Sequence, residues 1–368
     1  MVILMNIIGI IVEYNPLHNG HVYHFNKIKE LENPDLIVAV MSSSITNRGN
    51  LSIFDKFEKT KQALNLGVDI VIELPLIYAC QRADIFADKA INILNQVGVN
   101  KIYIGSENND ISLYENAYNL INNNDSKIKE LIDKGYSYKE AFSNIINLEP
   151  NDMLGYSYYK SIKDNNYNIE LKTILRKNSN YDDELPTNDV IASAKAIRNN
   201  LDLLNKYTPS YVYNNNNLLD ENKIFDFIKY SIISKSNDEL KKLFFVDEGI
   251  ENKLKDITNY NTLNDYIDYL SSKRYTKTRI KRMLLYILLN IKKTDADLAL
   301  KENIIRVLGF NESGKKYLNK IKKEINYYTN IKDGLNKTLD IEFKASKILD
   351  SIYNLNLITL EQKGPVKK

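Results

Sequence analysis

The run Ile7–Val12 reads Ile-Ile-Gly-Ile-Ile-Val, with no polar residue on either alternating face. A strand of that kind has to be covered on both sides, which is the situation of a central strand in a parallel sheet. The chain then turns within Glu13-Tyr-Asn-Pro-Leu-His-Asn-Gly20, after which Val22, Phe25, Ile28 and Leu31 recur at the spacing of one apolar helix stripe. A buried strand, a tight turn and a helix starting near Gly20 make a βα unit, so the fold class expected is α/β. The three histidines of the chain, His18, His21 and His24, all fall inside this unit.

A helix N-terminus presents unpaired backbone N–H groups and roughly half a positive charge, so it suits an anion and phosphate above all. Gly20 allows close backbone approach, and imidazoles beside it can donate hydrogen bonds to phosphate oxygens on which charge builds during a displacement. Two other readings are turn histidines without a ligand and a metal site made of His18, His21 and His24. The metal reading lacks further ligands elsewhere in the chain, and the flanking residues suit a phosphate turn better. His18-Asn-Gly-His21 is an HxGH motif. With its strand and helix it resembles the nucleotidylyltransferase superfamily, whose members activate substrates by attack on the α-phosphate of ATP.

At 368 residues the chain is long enough for two domains. It holds no apolar run of about eighteen residues, so no membrane span is expected. Met1 to Met5 lacks a basic flank and does not read as a signal peptide. The single cysteine, Cys80, excludes an internal disulfide and fits a reducing, cytoplasmic location. With no histidine near it in sequence, it is a poor candidate nucleophile. Net charge is +3, yet the stretch from Lys273 to Lys337 carries seventeen Lys and Arg against six Asp and Glu, an excess of +11 that leaves −8 for the remainder. A basic segment on an otherwise acidic chain points to a polyanionic partner.

Further strand-like runs at 36–41, 69–74, 101–104 and 169–175 alternate with helical patterns at 53–66, closed by Gly67, and 83–97, closed by Gly98. Residues 112–163 read as mostly helical, with breaks at Asn123-Asn-Asp and Glu149-Pro-Asn. A loop rich in Asn, Asp and Pro leads to a helix expected at about 189–204, and beyond Asn214-Asn-Asn-Asn217 the strand signals fade. The expectation is a Rossmann-like parallel sheet in residues 1–205 that carries the HxGH nucleotide-binding turn, followed by a helical C-terminal domain in 206–368.

Other stretches fall where a nucleotide site needs them. Gly105-Ser-Glu closes the fourth strand, and a glycine there lets a flat base lie against the backbone. Asn151 opens a helix, Arg176 ends the fifth strand, and Ser193-Ala-Lys-Ala-Ile-Arg198 is similar to the phosphate-binding motif of adenylyltransferases. The resemblance narrows to one family, the bacterial tRNA(Met) cytidine acetate ligases. It is carried by Val12 to His21, Met41 with Arg48-Gly49 and Lys56, Asp69-Ile-Val-Ile-Glu-Leu-Pro75, Gln81-Arg-Ala-Asp-Ile-Phe-Ala87, Gly105-Ser-Glu107 and Ile191 to Arg198. Arg274-Tyr-Thr-Lys-Thr-Arg279 adds a weaker match. The chain departs from the family pattern at Ser43, at Asn47-Arg-Gly-Asn50 and at Lys195.

That resemblance implies attack by acetate on the α-phosphate of ATP, giving acetyl-adenylate, and transfer of the acetyl group to the wobble cytidine of elongator tRNA(Met). It implies catalytic roles for His18, His21 and Arg198. It also implies ATP contacts from Ile11, Val12, Glu13, Tyr14, Asn15, Pro16, Leu17, His18, Asn19, Gly20, His21, Val22, Tyr23 and His24, and from Gly105, Asn151, Arg176 and Ser193. Magnesium is the expected companion of ATP, with no carboxylate assigned to hold it. A carboxylate nucleophile needs no general base at neutral pH, and the site shows none.

The basic segment suits the RNA. Lys273, Arg274, Lys277, Arg279, Lys281 and Arg282 surround Tyr275, offering phosphate contacts and a ring for stacking, and Lys315, Lys316, Lys320, Lys322 and Lys323 extend the surface. Two other functions stay open on the sequence: an adenylyltransferase acting on a small phosphorylated cofactor precursor, and a non-catalytic RNA-binding protein.

Overall fold

The computed structural model describes residues 5–134, 136, 138–177, 185–186, 189–213 and 218–368. Five strands follow the expected order: β1 (Ile7–Val12), β2 (Leu36–Ser42), β3 (Ile70–Leu74), β4 (Lys101–Ser106) and β5 (Glu170–Leu175). All pair in parallel, with Ile7 to Val12 set against Leu36 to Met41, and β2 is buried along its whole length. The joining helices lie on both faces, as right-handed crossovers require. Two of them frame the site: α1 (Asn19–Glu32) and α2 (Lys56–Leu66), which Gly67 closes. On the other face, Ala83–Gln96 packs against Pro150–Asp164.

Among the described residues the sheet has seven strands, in the order β5-β4-β1-β2-β3-β6-β7. Its last two members, β6 (Arg306–Phe310) and β7 (Val366–Lys367), come from the region expected to be a helical domain, which is a correction. Strand β6 runs antiparallel to β3, so the chain beyond Ile291 returns to the core of the sheet. The body with its own apolar core is shorter than 206–368 and spans Ile224 to Leu288. The helix expected at 189–204 is also shorter: Ala194–Asn199, then a 3₁₀ turn and Leu204–Tyr207. The Asn214 to Asn217 run and most of the Asn, Asp and Pro loop lie outside the described residues.

One helix, Lys277–Leu288, forms a shared wall. Leu285 and Tyr286 belong to the core of the sheet, whereas Leu284, Ile287 and Leu288 belong to the helical body. The C-terminal helices are fastened to β3 by a buried ion cluster. Lys56 Nζ contacts Glu73, Glu342 and Glu361 at 2.6 to 2.8 Å, and Arg306 pairs with Glu73 and Glu361. Three carboxyls face two cations out of water, and burial together with Glu73 pushes the Glu342 carboxyl up to about 7. Among the described residues no helix is long and apolar enough to cross a membrane.

Candidate active site

The strand order reverses between β1 and β4, and in open α/β sheets the crevice beyond the carboxyl ends at such a point takes the ligand. The HxGH turn follows β1 and Gly105 ends β4, so both fall there. Tyr14 begins the turn at φ 47, and His18 is the N-cap of α1. His18 Nδ1 accepts from the Gly20 N–H at 3.0 Å, and His21 Nδ1 accepts from the His18 N–H at 3.2 Å. The two histidines thus form a capping box, a task usually given to Ser or Thr with Glu.

That box fixes the chemistry of both rings. A neutral imidazole whose Nδ1 accepts carries its proton on Nε2, so each ring is a donor at its far side. The rings lie 3.9 Å apart, and the Tyr14 ring meets His21 edge-on at 5.0 Å. Burial, then Arg176 and Arg198, push the His18 imidazole down to about 3. Burial and the flanking His18 and His24 hold His21 well below the usual histidine range. Burial and Arg176 bring His24 down to about 4, and its Nε2 is enclosed without a hydrogen-bond partner. All three rings are therefore neutral at physiological pH.

Cationic side chains close the crevice. Arg198, in the last turn of Ala194–Asn199, donates from Nη1 to the Asn15 carbonyl at 2.6 Å, and Ser193 caps that short helix through the Ala196 N–H. Arg176 follows β5, its Nε 3.9 Å from Glu107 Oε1. Glu107 in turn receives Asn151 Nδ2 at 2.5 Å and the Asp152 N–H at 3.2 Å, capping Pro150–Asp164 from outside that helix. Gly105 leaves open space, since a Cβ there would meet only Arg176 Cγ at 3.5 Å. The structure thus brings His18, His21, His24, Gly105, Asn151, Arg176, Ser193 and Arg198 to one crevice.

Sequence reasoning passed over what holds that crevice. Lys59 is fully buried under the rim, and its Nζ donates to the carbonyls of Glu13, Ser42 and Ser43 and to Ser52 Oγ at 2.7 to 3.2 Å. Burial brings its amine down to about 8. Asn47 donates its N–H to Glu13 Oε1 at 2.6 Å, tying loop 47–51 to the turn. Among the described residues no group of three or more His, Cys, Asp or Glu side chains is arranged to hold a metal ion.

The expected RNA surface is only partly an open one. Lys273 and Arg274 are exposed, Lys277 is exposed and paired with Asp268 at 2.5 Å, and Lys281 is half-buried. Tyr275 is a correction: it is buried, donating its hydroxyl to the Asp247 carbonyl, while Arg279 stacks 4.2 Å above its ring. Arg282 is a second, being buried and engaged with Asn47. The cluster from Lys315 to Lys323 is a third. Its helix, Glu312–Ile321, seats Gly314 against Asp69 and Tyr317 against Val97, at the amino ends of β3 and β4 and away from the crevice.

Comparison with known proteins agrees with this geometry. The sequence model for the HIGH Nucleotidyl Transferase family matches residues 5–363. The chain is 40% identical over 376 residues to the tRNA(Met) cytidine acetate ligase of Caldicellulosiruptor saccharolyticus, covering 94% of this chain and 93% of that one. It is 38% identical to the ligase of the same name from Clostridium novyi, covering 93% and 94%. The Thermotoga maritima TmcAL crystal structures superpose with TM-scores of 0.88 (apo) and 0.85 (bound with alpha-thio ATP), at 26% identity and 99% coverage of both chains. A motif match over the whole length, relatives near 40% identity and a shared fold together establish that the chain belongs to the tRNA(Met) cytidine acetate ligase family of HIGH nucleotidyl transferases.

Proposed function

We propose that the protein activates acetate with ATP and passes the acetyl group to the wobble cytidine of elongator tRNA(Met), forming N4-acetylcytidine. The observation that carries this reading is the pair of histidines whose mutual capping leaves two neutral Nε2–H donors at a helix N-terminus between Arg176 and Arg198. An acetate oxygen attacks the α-phosphorus, and the bond to the β-phosphate oxygen breaks with pyrophosphate carrying away the electron pair. The donors offset charge that grows on the phosphate oxygens, and they need no reorganisation as the reaction proceeds.

In the second step the N4 amine of cytidine attacks the acetyl carbonyl, the bond to the adenylate oxygen breaks, AMP departs and the amine proton passes to solvent. No general base is required for the first step, because acetate is ionised at neutral pH. Magnesium would arrive on the triphosphate, as it commonly does, rather than in a cage of protein carboxylates. The RNA would approach over the exposed face near Lys273, Arg274, Lys277 and Lys281, in a reducing cytoplasm.

The direct test is to incubate the protein with ATP, labelled acetate and an elongator tRNA(Met) transcript and to digest the RNA to nucleosides. Label in N4-acetylcytidine at the wobble position is the expected result. An adenylylated small molecule with no label in RNA would overturn the reading.

A further inference from the structure

Asn47 uses every polar group it has. Its N–H bonds Glu13 Oε1 at 2.6 Å, and its Nδ2 bonds the carbonyls of Ala79 and Gln81 at 2.9 Å each. Its O and Oδ1 accept from Arg282 Nε and Nη2 at 2.7 and 2.9 Å. Two residues on, Gly49 has φ +78 and is pressed on the same helix, where a Cβ would stand 2.7 Å from the Arg282 backbone nitrogen. On its far side the loop is gripped by Glu221, which receives Asn50 Nδ2 at 3.0 Å and the Leu51 N–H at 3.1 Å. Loop 47–51 is therefore a seam joining the nucleotide turn, through Glu13, to the helical body, through Arg282, and to the 3₁₀ turn Glu221–Lys223 that leads into that body, through Glu221.

We infer that Arg282 is a positioning residue for the second half-reaction: through Asn47 it holds the helical body in register with the nucleotide turn, so that a cytidine carried on that body meets the acetyl group formed at the turn. The inference rests on the ligase reading above. The geometry assigns the two halves of the work to different bonds. If the guanidinium is removed, Asn47 keeps its bond to Glu13 and both Nδ2 bonds, so the turn keeps its shape. What is lost is the two-pronged tie to helix Lys277–Leu288, the helix that also presents Lys277 and Lys281. A lysine cannot restore it, because an ammonium lacks the planar fork that reaches a carbonyl and an amide oxygen together. A misplacement of about 1 Å between reacting groups costs on the order of 10²-fold in rate.

The test compares Arg282→Lys and Arg282→Gln with the unaltered protein in three measurements, with melting temperatures taken alongside. These are acetate-dependent exchange of labelled pyrophosphate into ATP without RNA, single-turnover acetyl transfer to an elongator tRNA(Met) transcript, and affinity for that transcript. The expected pattern is a transfer rate lowered roughly 10- to 100-fold, with exchange and affinity each within about threefold of the unaltered protein. Three results would overturn the inference: transfer undiminished in both variants, exchange and transfer falling by one common factor, or affinity falling by the whole loss, which would make Arg282 a phosphate contact. Should the glutamine variant fail to fold, the lysine variant, which keeps the charge, decides between these outcomes. Failure of the ligase reading itself is separate, since it would appear as no transfer by the unaltered protein.

Discussion

Gly20→Ala separates the chemistry of the site from its stability. The backbone of α1 accepts an alanine, but the added Cβ would stand 2.8 Å from His18 Cε1 and 3.0 Å from His18 Nδ1. Carbon contacts are comfortable near 3.5–4.0 Å, so the ring must move by roughly 0.5–1 Å. The bond from the Gly20 N–H to His18 Nδ1 is lost, and with it the constraint on the tautomer. Losing an N-cap costs about 1 kcal/mol, whereas replacing Gly by Ala inside a helix returns roughly 0.5–1 kcal/mol. Net stability should therefore change by less than about 1 kcal/mol. The displaced donor, by contrast, should cost roughly 10²–10³ in rate, about 2.7–4 kcal/mol of barrier. Thermal melts would read the first quantity, and acetate-dependent pyrophosphate exchange at saturating ATP and acetate the second. A folded variant with exchange within about threefold of the unaltered protein would refute the claim that His18 must sit where its capping bond puts it.

The histidines also predict a pH response. Their folded pKa values lie below the usual value, so as pH falls from about 6.5 toward 4 the unfolded chain gains protons the folded one refuses. Stability then drops by up to about 1.4 kcal/mol per pH unit for each such histidine and is regained above pH 6.5. Urea melts between pH 4 and 8 would show it, and NMR of the imidazoles of the ligand-free protein should show no titration near pH 6.5. Lys56→Met leaves the buried Glu342 without a cation, while Glu73 and Glu361 keep only Arg306, and should cost about 3–5 kcal/mol, read by denaturant melts, whereas a loss under 1 kcal/mol would mean water reaches that cluster. Replacing Lys315, Lys316 and Lys320 together by Glu should leave tRNA acetylation and its salt dependence unchanged, because their helix lies at the amino ends of the strands. Glu at Lys277 and Lys281 should weaken RNA binding and flatten its salt slope by about one to two units.

What the sequence disclosed was local. The apolar run from Ile7, the turn and the stripe beginning at Val22 each declare themselves within a few residues, and the observed β1 and α1 lie where they were expected. The next four strands shared that advantage. Strand β6 did not, because Arg306 breaks its apolar run, and the residues that make a buried arginine tolerable, Glu73 and Glu361, are far away in sequence. Lys59 was hidden for a similar reason. It follows Lys56 by three residues on the buried face of α2, and such spacing signals a buried lysine only when its acceptors are known. The histidine capping box was missed as well, since N-caps are sought among Ser, Thr, Asp and Asn. The basic run from Lys273 illustrates the opposite error. Composition counts charges without regard to partners, and in the structure Arg274, Lys277 and Arg279 answer Glu248, Asp268 and Asp247.

On the proposed function, acetate is activated as acetyl-adenylate at the histidine turn. The most direct measurement is exchange of labelled pyrophosphate into ATP, with and without acetate, by the unaltered protein and by His21→Ala, repeated with elongator tRNA(Met) present. Exchange that requires acetate and falls roughly 10²–10³-fold in the variant is the predicted result. Exchange indifferent to acetate, a fully active His21→Ala protein, or no exchange even with the tRNA present would contradict it.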